Sequence, residues 1–125
     1  MLSSRATFAI NSNHILVDVF GIEPLSAEDI EILFDKMCLA GRARLLKTNI
    51  HEFEGGGFTG VALLAESHIS VHTWPEYRYA SFDIYMCGKS AAELAFFKLL
   101  DLIEHDSYNA VNVQRGSVMK FIRID

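Results

Sequence analysis

Three apolar, β-rich segments follow one another in the middle of this chain with almost nothing between them. Thr59 to Ala65 and His68 to Trp74 are separated only by Glu66-Ser67, and Tyr79 to Cys87 follows after Pro75 to Arg78. A parallel pair needs a crossover of about a dozen residues or more, so links this short join antiparallel neighbours. Pro75 stops the second strand and Gly88 ends the third.

The flanks add helices and further strands. "HILVDVFG", from His14 to Gly21, alternates apolar and polar residues and reads as the first strand. Ser26 caps a helix, with Asp29 as its capping-box partner. Ile30, Leu33, Phe34 and Met37 form one apolar stripe on it, and Gly41 stands where a left-handed C-cap is expected. Arg42 to Phe53 reads as a strand and "EGGGF" as a turn. Ser90 and Glu93 make a second capping box ahead of the helix "AAELAFFKLLDLIEH". "YNAVNVQ" and "SVMKFIRI" follow as strands, a hairpin across Arg115-Gly116. The order β-α-β-β-β-β-α-β-β predicts an α+β two-layer sandwich, a mostly antiparallel sheet with two helices on one face. With 50% of its 125 residues hydrophobic, the chain forms one domain whose second sheet face meets water or a partner, and a homodimer is expected.

A net charge of -5 argues against nucleic acid or an anionic membrane as partner. Arg115, Lys120 and Arg123 read as a solvated edge. No apolar run reaches the roughly 20 residues that span a bilayer, and "MLSSRATFAI" has no signal-peptide core. Cys38 and Cys87 do not make a disulfide framework, so the cytoplasm is the expected compartment. Cys38, beside the helix stripe, reads as an inert packing residue.

The chemistry concentrates in "LAESHISVHTWPEY". In a strand His68, Ser70, His72 and Trp74 share one face, and a functional cleft would lie there. His68 and His72 stand about 13 Å apart at ~3.3 Å per residue, too far to share one zinc ion. Ser67 with His72 offers a hydrolase pair, but the nucleophile elbow G-x-S-x-G is missing.

"ESHISVHTWPEY" with the following "FDIYMCG" resembles the prokaryotic S-adenosylmethionine decarboxylases, small pyruvoyl-dependent enzymes of polyamine (spermidine) biosynthesis. The match is dense over Phe58 to Gly88, and "NHILVDVFG" and "HEF" from His51 agree in order and spacing. The resemblance implies a proenzyme that cleaves itself between Glu66 and Ser67, leaving residue 67 as a covalent pyruvoyl group. That group forms a Schiff base with the substrate amine, CO2 leaves, and neither a metal nor a dissociable cofactor is required. By the same resemblance His72 and Thr59 assist processing, and Cys87 donates a proton in turnover. Phe53 stacks on adenine and Glu76 holds the ribose. Trp74, on the same strand face, joins the substrate-binding set.

Some positions depart from the family pattern. Glu52 stands where a basic residue is common, Glu54 adds a carboxylate to the turn, Arg78 replaces a glycine, and Ser12 stands where a glycine is common. Arg78 with Glu52 or Glu54 would suit a basic amino acid, which makes a pyruvoyl-dependent L-ornithine or L-arginine decarboxylase the alternative. An unprocessed regulatory pseudoenzyme is a further alternative, opposed by the presence of every cleavage residue.

Overall fold

The computed structural model describes residues 12–116. The elements run β1 (Ser12–Phe20), α1 (Ala27–Ala40), β2 (Leu45–Glu52), β3 (Phe58–Leu64), β4 (Ser67–Trp74), a 3-10 turn (Pro75–Tyr77), β5 (Tyr79–Cys87), α2 (Ala92–Leu102) and β6 (Ser107–Arg115). The strands form one antiparallel sheet in the order β2-β3-β4-β5-β1-β6. The expected strand over residues 117–124, and its hairpin with β6, lie outside the described residues.

Alternation assigns the faces. Val17, Ala62, Ile69, Val71, Phe82 and Ile84 are buried against Ile30, Phe34, Met37, Ala95 and Leu99 of the helices. Both helices therefore cover one face, as the strand pattern predicts. Phe34 is fully buried, and shielding a side chain of that size contributes about 1.5–3 kcal/mol. The opposite face carries His14, Leu16, Val61, Leu63, His72 and Trp74, partly or largely exposed.

Three of the four helix ends differ in detail from expectation. The capping box of α1 is present, with Ser26 Oγ accepting from the Asp29 amide at 3.0 Å and the Asp29 carboxylate accepting from the Ser26 amide at 2.9 Å. At the other end the left-handed residue is not Gly41 (φ -82°) but Arg42 (φ 57°). The Ala43 amide bonds Cys38 O at 2.9 Å and the Arg42 amide bonds Leu39 O at 3.2 Å, a Schellman closure with arginine where glycine is usual. Packing explains the offset. A Cβ at residue 41 would stand 3.0 Å from both Ala91 O and Met86 Sδ, so the small residue is required one position early. The closure also delays β2, which starts at Leu45, and its register slips between Leu45 and Lys47. On α2 the N-cap is Ala91 with no side-chain bond; the Ser90 hydroxyl instead turns toward Arg42 O, 3.5 Å away. The helix stops at Leu102, before His105, as Ile103 adopts extended backbone.

Candidate active site

The β3–β4 hairpin turns at Ala65-Glu66. The Ala65 amide is tied to Arg44 O at 2.9 Å, and Ser67 opens β4 opposite Leu64. The Ser67 hydroxyl donates to the carbonyl oxygen of the residue before it, Glu66. The Cys87 thiol, at the end of β5, donates to the same oxygen at 3.2 Å and lies 3.7 Å from Ser67 Oγ. Gly88 turns the chain at φ 69°, and a Cβ there would meet the Glu66 carboxylate at 2.5 Å, so only glycine admits that side chain. A cavity of about 470 Å³ opens beside the junction, lined by Arg42, Arg44, Glu66, Ser67, Lys89 and Ser90 among others.

A second cluster lies toward the other end of the same hairpin. Thr59 pairs with His72, and the Thr59 hydroxyl sits 3.0 Å from His72 Nδ1. Phe53, Glu54, Trp74 and Glu76 join them around a cavity of about 330 Å³. Phe53 is placed by β2 and the tight turn after it, where its amide bonds Gly57 O at 2.8 Å. The Phe58 amide donates to Thr73 Oγ1 at 2.9 Å, which locks β3 to β4 beneath the cavity.

These two clusters do not meet within one chain. His72 is five residues beyond Ser67 on β4, about 16 Å at ~3.3 Å per residue. Two further residues that the sequence suggests for the site also stand apart. Arg78 adopts left-handed backbone and points its guanidinium at Gly21 O (3.3 Å) and Glu23 (3.5 Å), outside the Thr59–His72 cavity. Glu52 is exposed at the end of β2 and does not line that cavity, whereas Glu54 does.

The sequence profile of the S-adenosylmethionine decarboxylase family matches residues 13–116. This chain belongs to that family. Among its relatives, the S-adenosylmethionine decarboxylase proenzyme of Picrophilus torridus is 35% identical over 111 residues, 86% of this chain and 85% of the relative. The one from Methanococcus maripaludis is 43% identical over 109 residues, 84% of this chain and 89% of the relative. A crystal structure of the adenosylmethionine decarboxylase from Aquifex aeolicus superposes with a TM-score of 0.80 at 30% identity, covering 94% of this chain and all of that one.

In this S-adenosylmethionine decarboxylase family member the uncovered sheet face holds a third group, which no pattern in the sequence brings together. His14, Tyr85 and His68 stand in one row across β1, β5 and β4. The Arg115 guanidinium donates to His14 Nδ1 at 3.2 Å and lies over the Tyr85 ring, 5.4 Å from its centre. Ligand atoms of His14, His68 and Asp83 fall within 4.8 Å of one another. Arg115 occupies the Nδ1 lone pair and brings a positive charge to the spot, which opposes a cation there. His14 Nε2 is buried without a hydrogen-bond partner, since Asp83 at 4.0 Å offers attraction but no bond. Burial lowers the His14 pKa, and Arg115 and His68 lower it further against the pull of Asp83.

Cys38 is buried on α1, and that burial, with Asp35 nearby, pushes its thiol up to about 11. Among the described residues no helix is long and apolar enough to cross a membrane. Arg42, Arg44 and Lys89 line the junction cavity, and the sequence does not single them out. The available signal is three basic residues beside a helix end and a glycine turn.

Proposed function

We propose that this chain is made as an S-adenosylmethionine decarboxylase proenzyme, one domain over residues 1–125 that cuts itself between Glu66 and Ser67 to yield a pyruvoyl enzyme. The observation that carries the reading is the Ser67 hydroxyl held against the Glu66 carbonyl, with the Cys87 thiol donating to that same oxygen at 3.2 Å.

Processing uses only groups of the chain. Ser67 Oγ attacks the Glu66 carbonyl carbon, its proton passes to the departing amide nitrogen, and the peptide becomes an ester. Negative charge gathers on Glu66 O during the attack, where the Cys87 S–H points, and a donor so placed is worth about 10²- to 10³-fold in rate. Removal of the residue 67 Cα proton then expels Glu66 as a carboxylate and leaves a dehydroalanine. Tautomerisation and hydrolysis release ammonia and leave a ketone. His72 is the base for the Cα proton; with Nδ1–H donating to Thr59 Oγ1, its Nε2 carries the lone pair that would take it.

The pyruvoyl group supplies a ketone that captures the substrate amine and a neighbouring amide that takes up the electron pair left by CO2. Cys87, 3.7 Å from Ser67 Oγ, returns a proton to the substrate carbon. The Phe53 and Trp74 rings offer faces to adenine and to a sulfonium cation, and the Glu76 carboxylate accepts from ribose hydroxyls. Arg78, held at Gly21 and Glu23, leaves a basic amino acid without the carboxylate partner that the ornithine or arginine alternative requires.

His72 acts on residue 67 of a second copy. The ~16 Å between them within one chain excludes direct proton transfer. Packing two open sheet faces about a two-fold axis would set the Ser67–Cys87 end of one protomer over the Thr59–His72 end of its partner, and would cover Leu16, Val61, Leu63 and Val111, which are exposed in the single chain. The working enzyme is a homodimer with two composite sites. The test is intact mass under denaturing conditions after cyanoborohydride trapping with S-adenosylmethionine, L-arginine or L-ornithine in separate tubes. Two chains, with the 67–125 fragment gaining the decarboxylated S-adenosylmethionine adduct, are expected. A single 14.0 kDa species sinks the reading, and an adduct from arginine or ornithine alone replaces the substrate.

A further inference from the structure

Phe20, Tyr79 and Trp74 stand side by side on β1, β5 and β4, as register partners on the open sheet face. Their rings form a ladder. Phe20 stacks on Tyr79 at 5.2 Å with 19° between planes, and Tyr79 on Trp74 at 5.1 Å with 20°. These steps are close to the ~4.8 Å between neighbouring strands, so the sheet itself sets the pitch. The middle ring is fastened: the Tyr79 hydroxyl donates to Asp18 Oδ1 at 2.6 Å. Burial and the bond to Asp18 both push the Tyr79 pKa up, which keeps the phenol protonated and donating. Among the described residues Asp18 has no cationic partner, so its carboxylate serves the phenol.

The ladder ends at the candidate substrate cavity. Trp74 is 39% exposed and lines the cavity of about 330 Å³ together with Phe53, Gly57 and Glu76. Tyr79 covers one face of the indole, and the ladder has no fourth ring to cover the other. Continuing the β3–β4 register, in which Thr59 faces His72, residue 57 stands opposite Trp74. That residue is glycine, and packing requires it, since a Cβ there would stand 2.8 Å from Thr73 O. The fourth place of the ladder therefore holds no side chain and belongs to the cavity.

We propose that Tyr79, pinned by Asp18, is a positioning residue for substrate recognition: it fixes Trp74 as the wall of a slot over Gly57 that takes a flat heteroaromatic base as the fourth ring of the ladder. The inference deepens the proposed function and rests on it for the identity of the base. Tyr79 acts through Trp74 and touches no reacting atom. An indole free to turn would have to be ordered as the ligand arrives, and holding it beforehand removes that cost from binding. Selection follows from the shape of the slot. A base fills it and stacks, whereas an aliphatic amine such as ornithine or arginine has no ring to place there and leaves the indole face in water.

Trp74 is the single tryptophan of the chain, so its fluorescence reports on this wall alone. The purified protein is titrated with methylthioadenosine, which carries the base but no amine. Schiff-base trapping is then timed with S-adenosylmethionine and with S-methylmethionine, which has the amine and the sulfonium but no base. In Tyr79→Leu, methylthioadenosine affinity and trapping of dilute S-adenosylmethionine fall by at least about 10-fold, the scale of one base stack. The S-methylmethionine rate keeps its parent value, and the anisotropy of Trp74 drops. Tyr79→Phe keeps the ladder without the anchor and loses about 3-fold, the scale of one hydrogen bond. Asp18→Asn, whose amide oxygen still accepts from the phenol, holds the parent affinity. Unchanged affinity in Tyr79→Leu overturns the inference, as does an equal loss with both amines, which would make Tyr79 a support of the fold alone. Should Tyr79→Leu not fold, Tyr79→Phe and Asp18→Asn decide: a loss in the first without the second supports the anchor, and parity overturns it. A parent that stays uncut is the failure of the self-cleavage reading, seen as one mass, and the methylthioadenosine titration still reads the slot.

Discussion

Thr59 and His72 touch at 3.0 Å across β3 and β4, yet Ser67, the group they would serve, stands five residues away along the same strand. In the proposed function one protomer thus carries two half-sites, and the cleavage chemistry would need both. Co-expression of a Ser67→Ala chain with a His72→Ala chain separates the arrangements. In a mixed dimer one site regains an intact pair, so about half of the His72→Ala chains are cut if subunits pair at random. A site confined to one protomer leaves all of them whole, and the mass spectrum of the co-purified protein decides.

The Cys87 thiol donates to Glu66 O at 3.2 Å and lies 3.7 Å from Ser67 Oγ, so the proposed chemistry would use it both in cleavage and in turnover. Cys87→Ala removes both. Self-cleavage is expected to slow by about 10²-fold, the typical value of one oxyanion donor. Decarboxylation in the fraction that does mature falls further, because no proton is delivered to the product carbon. Timed gels give the first number and CO2 release the second; cleavage at the parent rate removes Cys87 from processing.

The sheet and the helix faces are legible in the sequence because alternation and short links translate directly into pairing and faces, whereas the candidate site residues come from the resemblance to the family. His72, Thr59 and Phe53 can be named from that resemblance, and the period of β4 already sets His72 far from Ser67. What a linear pattern lacks is tertiary information. Gly41 is displaced from the left-handed position by Ala91 and Met86, residues far along the chain, so propensity alone misplaces the cap. Arg78, standing where the family has a glycine, could pair with a substrate carboxylate on paper, but its left-handed backbone swings the guanidinium to Gly21 and Glu23. The His14–Tyr85–His68 row joins three strands, and no local pattern announces it.

The two cysteines sit in opposite environments. Cys38 is 3% exposed with its thiol pushed up to about 11, whereas Cys87 is half-buried at the junction. Iodoacetamide at neutral pH should modify Cys87 and spare Cys38 in the folded protein, because only the thiolate reacts and buried thiols are shielded. Peptide mapping after a short exposure reads the ratio; equal labelling would mean that α1 opens on that timescale.

Arg42 in the left-handed closing position carries a backbone strain that glycine would not. In a Ser67→Ala background, which keeps the chain uncut, Arg42→Gly should raise unfolding stability by about 0.5–1 kcal/mol, the strain relieved less the added freedom of the unfolded chain. Urea denaturation measures it. A loss of stability would show that the Arg42 side chain already makes favourable contacts before cleavage.

Burial holds His14 below its ordinary value of 6.5, with Arg115 and His68 acting in the same direction, Asp83 opposing and Tyr85 packed alongside. The folded state thus disfavours the imidazolium, and the unfolded chain takes up the proton first. Stability from this group is fully present above pH 6.5 and is lost as pH falls from there through the depressed native value, with a slope of at most about 1.4 kcal/mol per pH unit. His14→Gln removes the titration while keeping a polar group, so the parent-minus-variant stability should decline between about pH 7 and pH 5 in urea melts. A difference that is flat or rises on acidification would mean that Asp83 dominates Arg115 and that the imidazolium is welcome on this face.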